Sequence, residues 1–206
     1  MISTDPAHKV AQIAHERLLR VNRVGEYISN NIFQSIDDKP ITEINLEIGC
    51  GHGHWLCSIA SCHKGELFVG IDLLSKRIRK ADRKRELLNL DNVFFLKAEA
   101  GEFFEALPRN LHIKNTYIMY PDPWPKKRHH KKRLIQSCFL RKLHEKSNCG
   151  SKLFFKTDHE AYLDWTKQAI ANSSLWELGT EDWPHDASSY FEDLFGNSNS
   201  CSATCL

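Results

Sequence analysis

The stretch Leu46-Glu47-Ile48-Gly49-Cys50-Gly51-His52-Gly53 joins the end of an apolar run to three glycines at alternate positions. The residues from Glu43 to Ile48 have the pattern of a buried strand, and those from His54 to Ser61 have the pattern of a helix. Glycines between a strand and a helix let the backbone turn tightly and approach a ligand closely. The stretch therefore predicts a ligand site at the carboxyl end of the first strand of an α/β sheet.

Strand and helix patterns alternate along the rest of the chain. We predict strands at 67–72, 93–97, 116–120, 152–156 and 176–180. We predict a helix at about 75–90, with Leu74, Ile78, Ala81 and Leu88 on its inner face. We also predict a helix that the basic run beginning at Lys126 opens, and another at about 159–171. This alternation implies right-handed crossovers and a doubly wound, mostly parallel α/β sheet flanked by helices.

The N-terminal part of the chain has a helical pattern from about residue 7 to 33, with a break expected near Gly25. The residues on its apolar stripe are Val10, Ile13, Leu18, Val21, Val24 and Ile28. A turn at Asp37-Asp38-Lys39-Pro40 follows. We therefore expect a helical extension at residues 1–40, followed by one domain at residues 41–206.

The composition limits the class of protein. The 206 residues have a formal net charge of only +2, so any nucleic-acid binding must use a local patch. Seven cysteines without a Cys-x-x-Cys pair argue against a disulfide framework or a cysteine zinc site, and indicate a reducing compartment. The His52/His54 and His129/His130 pairs lack convincing ligand spacing, so we predict no metal. No leader or membrane-spanning pattern occurs, and we expect a cytoplasmic protein with no membrane partner.

The glycine stretch discriminates between three kinds of cofactor site. The dinucleotide pattern Gly-x-Gly-x-x-Gly/Ala fails because His54 stands at its last position, and the Gly-Lys-Ser/Thr ending of a P-loop is missing. The remaining form, Glu-x-Gly-x-Gly-x-Gly, is that of S-adenosylmethionine methyltransferases. Asp72 ends the second strand, where an acid can accept hydrogen bonds from ribose hydroxyls. Glu99, after the third strand, can reach the adenine edge, or it is simply a solvated loop acid.

A second informative stretch is Pro121-Asp122-Pro123-Trp124-Pro125, which precedes six Lys or Arg residues among positions 126–133. The prolines fix φ and remove backbone donors, so Asp122 and Trp124 lie in a stiff loop. A carboxylate beside an aromatic plane suits a nucleobase, and the cations suit phosphates, with Lys126, Arg128 and Arg133 as the predicted contacts. The alternative is a proline-rich turn followed by a solvated basic helix.

With these residues the chain resembles the tRNA (guanine-N7)-methyltransferase family over about residues 44–195. The matching segments are Leu46 to Gly53, Gly70-Ile71-Asp72, Pro121 to His130, Phe155-Lys156-Thr157-Asp158 with Tyr162, and Phe191-Glu192. Many methyltransferases share the glycine motif, whereas the Asp-Pro-Trp-Pro-Lys-Lys-Arg-His-His run is specific to this family.

The resemblance implies a Rossmann-like class I methyltransferase that transfers a methyl group from S-adenosylmethionine to guanine N7 at position 46 in the tRNA variable loop. It implies tRNA as the partner, no metal, and a monomer or homodimer. The catalytic candidate is Asp122. The cofactor candidates are Glu47, Gly49, Gly51, Asp72, Glu99 and Asp122. The substrate candidates are Lys126, Arg128, Asp158, Ser189, Tyr190, Phe191 and Glu192.

The chain departs from the family pattern at several positions. The family usually has Glu where Asp72 stands, Asp or Asn where Glu99 stands, and Thr where Ser189 stands. After Glu192 the family continues into an antiparallel final strand, whereas the Ser/Asn-rich residues after Gly196 have no strand pattern. We therefore expect the regular final strand to be lacking. The alternative functions are a catalytically impaired tRNA-binding homologue and an exocyclic-amine nucleobase methyltransferase.

Overall fold

The computed structural model describes residues 6–32, 42–184 and 199–206. Helices and strands alternate along these ranges. The helices are α1 (Pro6–Tyr27, continued by a π-helical turn at Ile28–Ile32), α2 (His54–Cys62), α3 (Ser75–Leu87), α4 (Ala100–Ala106), α5 (Ser137–His144) and α6 (Glu160–Ala171). The strands are β1 (Glu43–Ile48), β2 (Phe68–Asp72), β3 (Val93–Lys97), β4 (His112–Met119), β5 (Ser147–Thr157), β6 (Trp176–Gly179) and β7 (Asn199–Cys205). A 3₁₀ turn at Lys127–Lys132 precedes α5.

In the described ranges, seven strands form one sheet in the order β3-β2-β1-β4-β5-β7-β6. The β1, β2, β3, β4 and β5 pairings are parallel, and β7 runs antiparallel between β5 and β6. Both faces of the sheet are covered. One apolar cluster joins the sheet to α1, α4, α5 and α6, and a second joins it to α2 and α3. The predicted α/β, mostly parallel, doubly wound sheet is confirmed.

The final strand corrects one expectation. Residues 199–205 form β7, although the sequence predicted no regular strand after Glu192. Ala203 and Cys205 are buried in the larger apolar cluster, and Cys201 packs against it. On the other face, the Ser202 hydroxyl donates to the Glu181 carbonyl at 3.1 Å. Small, weakly β-forming residues make a strand here because β5 and β6 offer backbone hydrogen bonds on both sides.

The N-terminal helix also differs from its predicted pattern. Val24 and Ile28 are buried, but Val10, Ile13 and Leu18 are 66%, 56% and 52% exposed. The helix continues through Gly25 to Tyr27, so the expected break is wrong. Ion pairs hold it against α4, from Arg17 to Glu105 at 2.5 Å and from Arg20 to Glu102 at 2.7 Å.

Three further details depart from the sequence patterns. The short helix α4 was not predicted. Leu74 and Leu88, expected on the inner face of α3, are each 52% exposed. The basic segment forms a 3₁₀ turn instead of the start of an α-helix, and α5 begins only at Ser137.

Candidate active site

The predicted site residues follow strands whose carboxyl ends meet at one edge of the sheet. Ile48 at the end of β1 pairs with Ile71 of β2 on one side and with Ile118 of β4 on the other. Met119 of β4 pairs with Lys156 of β5. The glycine loop, Asp72, the Asp122 loop and Asp158 therefore emerge from adjacent strands. This edge is where doubly wound sheets bind ligands.

The glycine loop adopts a backbone that other residues disfavour. Gly49, Gly51 and Gly53 have φ values of 85°, 56° and 67°. The Gly49 and Cys50 N–H groups both donate to the Ile71 carbonyl, at 2.8 and 3.0 Å. A Cβ on Gly53 would lie 2.7 Å from the Phe95 ring, whereas one on Gly51 would meet nothing within 4 Å. Gly53 therefore lets α2 pack closely on the sheet, and Gly51 keeps the loop surface open towards a ligand.

Glu47 is a buried carboxylate at the base of this loop. It is 4% exposed, and its Oε2 atom has no hydrogen-bond partner within the described residues. Burial, with a smaller contribution from the Asp72 charge, raises the Glu47 pKa to about 8. A buried, unpaired acceptor costs stability unless a ligand satisfies it. Glu47 therefore indicates a site for a ligand that donates hydrogen bonds or is positively charged.

Asp72 lies beside Glu47 and is 5% exposed. Its Oδ1 accepts the Leu74 N–H at 2.8 Å. Its Oδ2 accepts the Gly51 N–H at 3.2 Å and lies 3.2 Å from Arg77 Nη1. The Asp72 carboxylate thus ties the glycine loop to the start of α3. Its predicted ribose contact would require Arg77, whose side chain is 48% exposed, to share that oxygen or move aside.

Glu99 has a structural role that the sequence did not reveal. It is the N-cap of α4, and its Oε2 accepts the Glu102 N–H at 3.1 Å. An N-cap carboxylate satisfies a backbone donor that the helix itself leaves unpaired. Glu99 is exposed at the carboxyl edge of β3. Glu99 is therefore an exposed loop acid that also caps α4, and the adenine contact stays a prediction.

The Asp122 loop is held between two strained aromatic residues. Tyr120 and Trp124 have φ values of 50° and 44°, in the left-handed region that non-glycine residues rarely occupy. Such conformations cost about 1–3 kcal/mol each and persist only where surrounding contacts impose them. The Asp122 side chain is exposed and, among the described residues, has no hydrogen-bond or ion-pair partner. The loop thus presents a carboxylate at a fixed place on the site edge.

Arg133 contacts this loop from inside the protein. Its Nε donates to the Pro123 carbonyl at 2.9 Å, and its guanidinium lies 4.9 Å from the Tyr162 ring centroid and 5.2 Å from that of Trp165. The side chain is buried, with an exposure of 3% for the residue. The predicted phosphate contact of Arg133 is therefore wrong, because its charged group packs inside the protein and does not face solvent.

The other cations of the basic segment remain at the surface. Lys126 and Arg128 are exposed, as the predicted phosphate contacts require. Lys132 Nζ lies 4.4 Å from the centroid of the Trp124 ring, and His129 meets that ring edge-on at 5.8 Å. Trp124 is thus packed against the basic turn. Part of the ring remains exposed.

Asp158 is exposed directly after β5 and does not cap α6. The N-cap of α6 is His159, which makes no side-chain cap hydrogen bond, and its N–H donates to Thr157 Oγ1 at 3.1 Å. The structure therefore brings Asp158 to the same sheet edge as Asp122. Ser189, Tyr190, Phe191 and Glu192 lie outside the described residues.

Sequence reasoning missed the support around the Asp122 loop. The Tyr162 hydroxyl accepts the Leu134 N–H at 3.0 Å, and Trp165 Nε1 donates to the Ile135 carbonyl at 2.9 Å. These two side chains of α6 enclose Arg133. Their i, i+3 spacing marks one face of a helix, but only the tertiary fold shows that the face meets the loop after β4.

The described residues yield two further observations. No three His, Cys, Asp or Glu side chains among them converge in a group that could hold a metal ion. None of the helices in the described ranges combines the length and apolarity needed to cross a bilayer.

Solved structures with a similar fold include methyltransferases. TrmN from Thermus thermophilus matches with a TM-score of 0.59 and 17% identity, over 89% of this chain and 48% of that chain. The 16S rRNA methyltransferase KamB matches with a TM-score of 0.58 and 15% identity, over 84% of this chain and 90% of that chain. A family model described as "Putative methyltransferase" matches residues 42–192. The fold and the site edge therefore define a Rossmann-like methyltransferase.

Curated relatives identify the particular methyltransferase family. The tRNA (guanine-N(7)-)-methyltransferase of Chlorobium phaeobacteroides is 34% identical over 143 residues, which cover 69% of this chain and 70% of the relative. Its counterpart from Rubrobacter xylanophilus is 32% identical over 146 residues, 71% of this chain and 64% of the relative. The chain belongs to the tRNA (guanine-N7)-methyltransferase family, as its motifs predicted. It spans less than two thirds of some relatives, including 46% of the Aquifex aeolicus protein.

Proposed function

We propose that this protein transfers a methyl group from S-adenosylmethionine to N7 of a guanine in the variable loop of tRNA. The observation that supports this most directly is the strained Asp122 loop, which presents an exposed carboxylate beside exposed Lys126 and Arg128 at the ligand-binding edge of the sheet. A carboxylate can accept hydrogen bonds from a base, and the cations can bind its phosphates. The names of the relatives supply the nucleoside and the RNA class.

The residues around the glycine loop fit the proposed methyl donor, which supplies an electrophilic methyl group on a sulfonium. S-adenosylmethionine has no phosphate, and it carries an ammonium that can donate to the unpaired Glu47 Oε2. Gly49 and Gly51 leave open backbone for its approach. We propose that Asp72 and Glu99 bind its ribose and adenine, and that Asp122 lies next to its methyl group. A pyrophosphate cofactor would fit poorly beside the two buried acids, Glu47 and Asp72.

The chemistry needs little from the protein beyond position and charge. Guanine N7 has an unshared electron pair and no proton, so no general base is required. Holding N7 in line with the methyl carbon can contribute about 7–11 kcal/mol. Asp122 would accept from the guanine N1–H and N2–H₂ groups and stabilise the positive charge that develops on the ring. A bidentate contact of this kind discriminates between bases by about 1–3 kcal/mol.

The remaining predicted substrate residues complete this proposal. Asp158 leaves the strand next to β4 and is the second candidate for the guanine edge. Ser189, Tyr190, Phe191 and Glu192 are proposed as RNA or guanine contacts on the basis of the family motif alone. The impaired-homologue alternative was suggested by a tail without a strand, and β7 removes that reason.

The test is methyl transfer from labelled S-adenosylmethionine to unmodified tRNA, followed by chain cleavage at 7-methylguanosine. Asp122→Ala should lower kcat at least about a hundredfold, the typical loss when a group that stabilises developing charge is removed. Binding of tRNA by this variant should change little. Asp164→Ala, which removes an exposed carboxylate from α6, is the matched control and should retain activity.

Three results would contradict the proposal in different ways. An active Asp122→Ala enzyme would exclude the catalytic role of that carboxylate. Wild-type protein that binds tRNA but shows no calorimetric heat with S-adenosylmethionine would be the impaired homologue. Nucleoside mass spectrometry that finds the methyl group on an exocyclic nitrogen would identify the exocyclic-amine enzyme instead.

A further inference from the structure

Helix α3 has an excess of positive charge that the proposed site does not use. Seven of its thirteen residues are Lys or Arg, and two are acidic. The cations are Lys76, Arg77, Arg79, Lys80, Arg83, Lys84 and Arg85. The net charge of the whole chain is only +2. This helix is therefore a local concentration of charge, comparable with the basic segment at 126–133.

Three of these seven cations have partners within the protein. Arg77 pairs with Asp72 at 3.2 Å, Lys84 contacts the His54 ring, and Arg85 lies 5.9 Å from the Phe94 ring centroid. The other four are exposed and form no hydrogen bond or ion pair within the described residues: Lys76, Arg79, Lys80 and Arg83. We name these four residues the α3 stripe.

The α3 stripe occupies one face of the helix. Its members stand at i, i+3, i+4 and i+7, which places them in a row about 10 Å long at 1.5 Å per residue. Ile78 and Ala81 are buried on the opposite side, so the row faces solvent. Like charges at these spacings destabilise a helix by about 0.2–0.5 kcal/mol per pair. This arrangement lowers the stability of the helix, and the four cations make no compensating hydrogen bond or ion pair within the described residues.

The α3 stripe begins at the site edge of the sheet. Leu74, the N-cap of α3, donates its N–H to Asp72, and Lys76 follows two residues later. One member of the α3 stripe, Lys80, also acts on the glycine loop: the His52 pKa is lowered first by burial and then by the charges of Lys80, Arg77 and Lys84. The positive potential therefore reaches the cofactor end of the site and is not confined to the flank of the molecule.

We propose that the α3 stripe is a second RNA-binding surface, which holds phosphates of the same tRNA whose guanine meets Asp122. This inference rests on the proposed function. The sheet order places β1 between β2, which leads into α3, and β4, which leads into the basic segment. A polyanion that inserts a base over the end of β1 extends to both sides of it. Phosphates on the β4 side meet Lys126 and Arg128, and those on the β2 side meet the α3 stripe.

The exposed leucines near α3 suggest one other partner, an anionic membrane surface. Leu73 and Leu87, near the two ends of the helix, are 62% and 82% exposed. They lie beyond the two ends of the cationic row, whereas a membrane-surface helix has an exposed apolar face along its length, opposite its cationic face. In α3 the face opposite the α3 stripe is buried in the protein. The distribution of charge therefore favours a phosphodiester backbone over a lipid bilayer.

The experiment neutralises the α3 stripe in the variant K76A/R79A/K80A/R83A. Its matched control, K64A/R109A/R141A/K167A, removes four exposed cations from other surfaces. Equilibrium binding of tRNA is measured for both variants and wild type over a range of salt concentrations. The stripe variant should show a log–log salt slope smaller in magnitude by about 1.4–3.6, for two to four phosphates lost. Its affinity at low salt should fall about 10- to 100-fold, and the control should resemble wild type.

Kinetics separate an RNA contact from damage to the fold. The stripe variant should have a raised KM for tRNA, while kcat and the KM for S-adenosylmethionine change less than about twofold. Its thermal stability should equal or exceed that of wild type, because like-charge repulsion is relieved. Equal salt slopes for the stripe variant and the control would overturn the proposal. So would stripe-dependent sedimentation with phosphatidylserine vesicles without any change in tRNA binding. Failure of wild type to methylate tRNA would instead refute the proposed function.

Discussion

Two polar side chains on one buried face of β1 differ in whether their hydrogen-bonding groups have partners. Asn45 Nδ2 donates to Glu66 at 2.8 Å, and Asn45 Oδ1 accepts from Asn115 at 2.8 Å. Glu47, two residues further towards the site, has a buried oxygen with no partner within the described residues. A satisfied polar group stabilises the sheet, whereas an unsatisfied one costs free energy that a ligand can recover. From this difference we infer that Asn45 stabilises the sheet and that Glu47 belongs to the ligand site.

The raised pKa of Glu47 predicts a pH-dependent stability. Its pKa is about 8 in the folded protein and 4.5 for the unperturbed group. The folded state therefore binds the proton more tightly, and this group's contribution to the free energy of unfolding falls as pH rises from about 4.5 to about 8. Glu47→Gln should remove this pH-dependent fall in the free energy of unfolding. In urea unfolding of the cofactor-free protein, the variant should gain stability relative to wild type by a few kcal/mol between pH 5 and pH 9.

The matched control for this measurement is Glu177→Gln, which alters an exposed carboxylate on β6. Its stability relative to wild type should not change between the same pH values. A constant difference between Glu47→Gln and wild type over the whole range would show that Glu47 ionises normally in the fold.

For single residues, the sequence predicted where the site residues lie better than it predicted what each side chain contacts. Glu47, Gly49, Gly51, Asp72 and Asp122 all lie at the carboxyl edge, because strand order and motif spacing determine which residues follow a strand. The role of Arg133 was missed because it depends on Tyr162 and Trp165, which lie 29 and 32 residues further along the chain. A cation within a basic run gives no sign of burial until its aromatic partners are placed around it.

The loop between β4 and the basic turn depends on contacts from another element. Tyr120 and Trp124 have left-handed backbone conformations, and the Tyr120 N–H donates to the Lys156 carbonyl of β5 at 2.8 Å. At its other end, the loop is tied to α6 through Arg133. The rigidity suggested by the three prolines is thus completed by two neighbouring elements. Proline alone fixes φ at its own position and cannot hold Tyr120 or Trp124 in a strained conformation.

Replacing Arg133 should therefore disturb the position of Asp122 without removing a contact to RNA. Arg133→Lys retains the charge but loses the planar guanidinium, which donates to the Pro123 carbonyl and packs on two rings. A displacement of about 1 Å at a reacting centre can lower the rate about a hundredfold, so kcat should fall by about that factor. The KM for tRNA should change little in steady-state kinetics.

Arg141→Lys, an equally conservative change at an exposed position on α5, is the control and should leave kcat near wild type. If Arg133→Lys raised only the KM for tRNA, Arg133 would be a phosphate contact after all. The conservative variant matters because Arg133→Ala could also reduce stability by leaving a void among the aromatic rings.

Element prediction failed where local pattern is weak. The seven-residue helix α4 is too short to show a helical period. Glu99 was predicted as a ligand candidate but was not recognised as the N-cap of this helix. The basic run forms a 3₁₀ turn in which the N–H of Arg133 donates to the carbonyl of His130 at 3.0 Å, and an α-helix begins only after these cations. Strands β4 and β5 begin earlier than predicted, because parallel neighbours pair with residues that have no strand pattern.

At the scale of the whole molecule, β7 joins the sheet into one unit. It pairs with β5 from Lys152↔Thr204 to Thr157↔Asn199, and with β6 from Trp176↔Cys205 to Gly179↔Ser202. Without it, β5 and β6 would expose unpaired backbone groups to each other and to solvent. Since Asn199 pairs with Thr157, β7 begins at the site edge beside Asp158. The last strand therefore supports both the fold and the proposed RNA-binding edge.

The insertion of β7 can be tested with two substitutions on the same strand. Ala203 is fully buried against the larger apolar cluster, whereas Ser200 is exposed. Ala203→Asp places an unpaired carboxylate in that cluster and should lower the free energy of unfolding by about 3–5 kcal/mol, or prevent folding at neutral pH. Ser200→Asp should cost less than about 1 kcal/mol, since its side chain stays in water. Urea unfolding of both variants measures the difference.

Equal, small effects would mean that residues 199–205 are not inserted between β5 and β6, as the weak strand pattern of the tail had suggested. A large effect confined to Ala203→Asp would show that backbone pairing with two neighbours specifies this strand despite its composition.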